Sequence, residues 1–101
     1  MINVLERHLE TIKRILAEHV GGCEVRAFGS RDNGTATKYS DLDLAILGNG
    51  KLTRRVKMLL REAFEESDLP FRVDVIDYNA ASKSFRQIID ESYQVLQEKD
   101  H

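Results

Sequence analysis

The 101-residue sequence has no tryptophan, one cysteine and one proline. A lone Cys23 excludes an internal disulfide and fits a reducing compartment, so a cytoplasmic protein is expected. With Pro70 the only proline and no low-complexity tract or repeat, nothing marks a linker, and residues 1–101 are expected to form a single domain. No apolar run approaches the ~20 residues that cross a bilayer, and no signal-peptide pattern is present, so no membrane association is expected. An excess of one charge is also lacking. Fifteen Lys and Arg stand against seventeen Asp and Glu, a net charge of −2, which leaves no bulk electrostatic signature of direct nucleic-acid binding.

What is present is periodic. Leu5, Leu9, Ile12 and Leu16 recur at steps of four, three and four, which predicts a helix over 3–20. Asn3 and Glu6 resemble a capping box at its start, and Gly21-Gly22 a stop at its end. Residues 23–28 and 41–47 read as strands. The "GNG" at 48–50 reads as a turn, and Leu52, Val56, Leu59, Leu60 and Phe64 mark the buried side of a second helix. "SDLP" ends that helix, because proline disfavours helix at the residue before it. A third strand is predicted over 71–77 and a last helix over 81–97, with Phe85, Ile88, Ile89, Ser92 and Leu96 on one stripe. The predicted order is α-β-β-α-β-α. It describes an α/β (α+β) domain with a small mixed sheet of about three strands covered by helices.

Two aspartates interrupt the second strand, in "SDLDLAIL". Alternate strand residues share a face, so Asp41 and Asp43 point one way while Leu42 and Leu44 point into the core. Carboxylates this close repel and raise one another's pKa unless a cation lies between them. A hard divalent ion such as magnesium suits their oxygens. The third strand carries Asp74 between Val73 and Val75. Paired beside the second strand, it would complete three carboxylates, enough for a two-metal site of the phosphoryl-transfer kind. Asp77 reads as a strand-end or turn residue. Upstream, Gly29 permits close backbone approach, Ser30 offers an N–H and a hydroxyl, Arg31 a fork of donors, and Gly34 another unusual turn, the parts a phosphate cradle needs.

Gly29-Ser30, ten further residues and then Asp41-Leu42-Asp43, with Asp74 in a later strand, resemble the signature of the DNA polymerase β-like nucleotidyltransferase superfamily. Within it the chain is similar to the minimal nucleotidyltransferases (MNT proteins) of prokaryotic HEPN/MNT gene pairs. The likeness extends from the leading helix through "GSR", "SDLDLAI" and "SDLPFRVDVID" to "FRQII". The resemblance implies a magnesium-dependent nucleotidyltransferase that moves a nucleoside monophosphate, AMP from ATP, to an acceptor hydroxyl. Asp41, Asp43 and Asp74 would be the catalytic and metal-binding residues, with two magnesium ions, and Gly29, Ser30 and Arg31 would hold the nucleotide. It also implies a HEPN partner, modified on a tyrosine, in a toxin–antitoxin pair where this chain is the antitoxin. Asp32 and Asn33 depart from the Ala-Arg that many relatives carry after Gly-Ser-Arg.

Three other readings compete with this one. A binding module could neutralise a HEPN partner by occlusion alone. A magnesium nuclease would also use clustered aspartates, but has no need of the Gly29-Ser30 loop. Arg14 and His19 form the Arg-x4-His of HEPN ribonucleases, yet that fold is all helical and this sequence has three strand patterns. The basic residues over 51–61 read as the wet side of an amphipathic helix, with a partner surface as the alternative.

Overall fold

A computed structural model of the chain describes residues 4–28 and 41–99. It contains α1 (Glu6–Val20), β1 (Glu24–Phe28), β2 (Leu42–Leu47), α2 (Arg54–Glu65), β3 (Val73–Asp77), a 3-10 turn (Tyr78–Ala80), α3 (Lys83–Glu91) and β4 (Tyr93–Gln97). The four strands form one mixed sheet in the order β3-β2-β1-β4. β1 pairs antiparallel with β2 and with β4, and β2 runs parallel to β3. Parallel neighbours need a long crossover, and α2 supplies it.

Strand alternation divides the apolar residues between two layers. Val25, Ala27, Leu42, Leu44, Ile46 and Val75 pack with Ile12, Leu16 and Val20 of α1 and with Leu60 and Phe64 of α2. The other side of the sheet has a smaller cluster, in which Phe28 and Ala45 meet Ile89 of α3, with Ile76 and Phe85 beside them. The helical periodicity of the sequence therefore places α1 and α2 on the larger core. Gly21-Gly22 stops α1 for steric reasons. A Cβ at Gly21 would lie 2.7 Å from the Ala17 carbonyl oxygen, and Gly22 takes φ +98°, a left-handed conformation costly for any other residue.

Two expectations are corrected. The first helix begins at Glu6 with Leu5 as N-cap and no side-chain cap bond; Asn3, the expected cap, lies outside the described residues. The last helix does not run to residue 97. α3 ends at Glu91, Ser92 turns extended at φ −157°, and Tyr93–Gln97 forms a fourth strand. The free edge of β1 explains the switch: an unpaired strand edge offers backbone donors and acceptors, and Tyr93-Gln94-Val95 is composed to take them. Leu96 reaches the core through strand geometry, whereas Ile88, on the expected helical stripe, stands 58% exposed. Arg26 secures this side of the sheet. It pairs with Glu24 and, at 2.8 Å, with Asp90 of α3, and its guanidinium lies 4.2 Å from the centroid of the Tyr93 ring.

Asp77 closes the far end of β3, as a strand-end residue, and is only 6% exposed. Its carboxylate accepts from the Leu52 N–H at 2.8 Å and the Asn79 N–H at 3.1 Å. The Asn79 side chain in turn donates to the carbonyls of Gly48 and Gly50, both at 3.0 Å. The 48–52 turn is thus tied to the end of β3. Asp77→Ala leaves two backbone N–H groups without their acceptor, and should cost about 1–3 kcal/mol in urea unfolding. A loss below about 0.5 kcal/mol would show that these bonds are replaceable by water.

Candidate active site

The parallel pairing of β2 and β3 sets Asp43 directly beside Asp74. On its other flank Asp43 faces Phe28 of β1. Asp41 precedes β2 by one residue, shares the side of Asp43 by alternation, and is exposed. Farther along the same side, Ala45 and Ile76 lie within the small cluster under α3. The two aspartates therefore stand where the apolar cover of α3 gives out, at the end of the sheet where β1 finishes and β2 begins.

Asp43 is half-buried, and its carboxyl titrates above the ordinary carboxylate range. Burial is the main cause, and the negative charges of Asp74 and Asp41 add to it. Asp74 forms an ion pair with Arg72, its Oδ1 3.0 Å from the Arg72 Nε. Arg72 is two positions before Asp74, hence on the same side of the strand, and its side chain is 75% exposed. The sequence carries a signal for this pair, a cation at strand spacing from the third aspartate.

The donor set consists of carboxylate oxygens only, and the register that sets Asp43 beside Asp74, with Asp41 two residues before it, keeps them at one end of the sheet. This chemistry fits a hard divalent cation. The three are not drawn into a closed ligand cluster: among the described residues, no group of three or more His, Cys, Asp or Glu is placed to hold a metal ion. Asp43 and Asp74 are brought together as neighbours, Asp41 lies at the rim, and Arg72 engages Asp74. The expected phosphate-holding residues Gly29, Ser30 and Arg31, with Asp32, Asn33 and Gly34, lie outside the described residues.

Known proteins resemble this chain in sequence and in fold. The family model described as "Polymerase beta, Nucleotidyltransferase" matches residues 10–101. The chain is 46% identical over 99 residues to a probable protein adenylyltransferase MntA of Haemophilus influenzae, covering 98% of this chain and 87% of that one. Among solved structures, it resembles a chain of a toxin–antitoxin crystal structure with AMP-PNP, at TM-score 0.76 and 25% identity, covering 91% of this chain and 74% of that one. It also shares its fold with a chain of a complex between a tri-AMPylated Shewanella oneidensis HEPN toxin and an MNT antitoxin. There the TM-score is 0.71 at 20% identity, over 93% of this chain and 72% of that one.

Proposed function

Because the chain belongs to the polymerase β-type nucleotidyltransferase family, we propose that it transfers AMP from ATP to a tyrosine hydroxyl of a cognate HEPN protein, as the antitoxin of a toxin–antitoxin pair. The observation that carries this reading is the register of Asp43 against Asp74, with Asp41 on the same side. A half-buried Asp43 flanked by two further carboxylates costs stability unless a cation and a polyphosphate use them. The adenylyltransferase name of the Haemophilus influenzae relative supports the nucleotide and the protein acceptor, and the HEPN–MNT complex from Shewanella oneidensis supports the partner.

In this reading Asp41 and Asp43 would hold magnesium beside the triphosphate, and Asp74 would contribute to a second site. The metal, when bound, supplies positive charge to the oxygens that enter and leave phosphorus. The rest falls to the chain's own residues. Gly29, Ser30 and Arg31 are assigned the outer phosphates. Phe28, alongside Asp43, keeps water from one flank of the carboxylates. The acceptor oxygen forms its bond to the α-phosphorus, the bond from that phosphorus to the bridging oxygen breaks, and pyrophosphate leaves. The phenolic proton passes to Asp74 or to solvent. Orientation carries most of the rate, since a hydroxyl presented on a docked protein avoids much of the entropic barrier to in-line attack.

The test is ligand-linked stability. Magnesium and ATP together should raise the melting temperature more than either alone; at a free concentration of about a hundred times Kd the native state gains about 2.7 kcal/mol. No shift with magnesium and millimolar ATP, in the free protein and in its complex with the HEPN partner, would contradict the proposed activity.

A further inference from the structure

Helix α2 carries its charges against its own dipole. Lys51, Arg54, Arg55, Lys57 and Arg61 are five cations with no acid among them, and Glu62, Glu65 and Glu66 follow. The first turn therefore has no acid and the last turn no base, the opposite of what the helix dipole favours. Among the described residues, Arg54, Arg55 and Lys57 take part in none of the ion pairs. Folding alone gives no reason for this arrangement.

The same helix borders two neighbouring depressions that share Arg61 and Glu65. Arg54, Lys57, Met58 and Arg61 border an open depression of about 480 Å³, and Met58 is 56% exposed. Arg61 and Glu65 also border a second groove, of about 670 Å³, which passes Phe64 and Phe71 and reaches Arg72 and Asp74. One surface therefore leads from the unpaired cations at the start of α2 to the third aspartate of the candidate active site.

We propose that this α2–β3 track is where the protein substrate docks, and that it takes an acidic segment with an apolar anchor, delivering the acceptor hydroxyl beside Asp74. This rests on the adenylyl-transfer reading above. Acidic side chains of the segment meet Arg54 and Lys57, an apolar one covers Met58, and the chain continues past Arg61 to the carboxylates. Met and Arg are enriched at the buried centre of protein interfaces. A nucleic acid fits less well, because Glu62, Glu65 and Asp74 on the same track would repel its phosphates while Met58 would offer them nothing. The charge order of α2, cations first and acids last, also gives the segment a direction.

The experiment is a calorimetric titration of the cognate HEPN protein into wild type and into an Arg54→Glu, Lys57→Glu double variant, without nucleotide. Affinity should fall at least about tenfold in the variant, and the wild-type affinity should weaken with added salt. The melting temperature of the free variant should hold or rise, since acids suit the start of a helix, and its response to magnesium and ATP should match wild type. Met58→Ala should weaken binding as well, without changing the salt dependence. An affinity within about twofold of wild type for the double variant overturns the proposal. So does a wild type that binds no HEPN protein, and so does a parallel titration in which wild type binds polyadenylate and the double variant loses that binding while keeping its HEPN affinity. Because the titration contains no nucleotide, a wild type that docks its partner but transfers no AMP would refute the adenylyl-transfer reading and leave the docking surface standing.

Discussion

Asp43→Asn is expected to lower AMP transfer by at least about a hundredfold, the scale seen when one preorganised electrostatic contact to a transition state is removed, while the folded protein becomes more stable at neutral pH. The two effects share one cause. The carboxylate of Asp43 is held among Asp41, Asp74 and the apolar Phe28, a placement useful to a cation and unfavourable without one. Its pKa in the folded protein is raised, so the native state holds this proton more tightly than the unfolded chain does. Stability conferred by the protonated form is therefore complete below the ordinary aspartate pKa and is lost as pH rises through the higher folded value. Asparagine mimics the neutral form. The variant should gain stability over wild type at pH 7, and the gain should vanish near pH 3 to within about 0.5 kcal/mol. Urea unfolding at the two pH values, beside a transfer assay, reads both effects. A variant that is less stable at pH 7 would make Asp43 a structural residue and remove the basis for its catalytic assignment.

The largest effect on folding is expected from Leu44→Ala, at about 2–5 kcal/mol. Leu44 is fully buried at 0% exposure on β2, which has strands on both sides and the α1–α2 core above it. Truncation there loses both the transfer free energy of the side chain and the contacts of its walls, and a central strand cannot collapse to fill the space. Against a total stability of about 5–15 kcal/mol for a domain of this size, such a loss would leave a substantial unfolded fraction at physiological temperature. Denaturant unfolding measures it directly. A cost below about 1.5 kcal/mol would mean that the core repacks around the gap, as it does for volume-conserving substitutions.

The sequence disclosed the sheet where alternation was strong and hid it where alternation competed with another period. "DLDLAIL" and "RVDVID" declare their faces, because carboxylates and aliphatic residues take turns, and the structure places Asp43 and Asp74 as that alternation requires. Their exact register could not be read, since it depends on how β2 and β3 pair across the whole of α2. β4 was missed for a different reason. Phe85, Ile89 and Leu96 also fit a helical stripe, no glycine or proline separates α3 from Tyr93, and the demand of β1 for a partner is invisible locally. The dual role of Asp77 was half legible: its position at a strand end was clear, whereas its bonds to the N–H groups of Leu52 and Asn79 depend on the fold. The pairing of Arg72 with Asp74 follows from strand spacing alone and could have been found.

The measurement closest to the central proposal is the intact mass of the cognate HEPN protein after incubation with this protein, ATP and magnesium. Wild type should add the mass of one AMP, or whole multiples of it, to the partner, and an Asp41→Asn, Asp43→Asn double variant should add none while still binding it. Peptide mapping should place the modification on tyrosine. A partner neutralised equally by wild type and double variant, with no change in mass, would contradict adenylyl transfer and identify the chain as a module that silences its partner by occlusion.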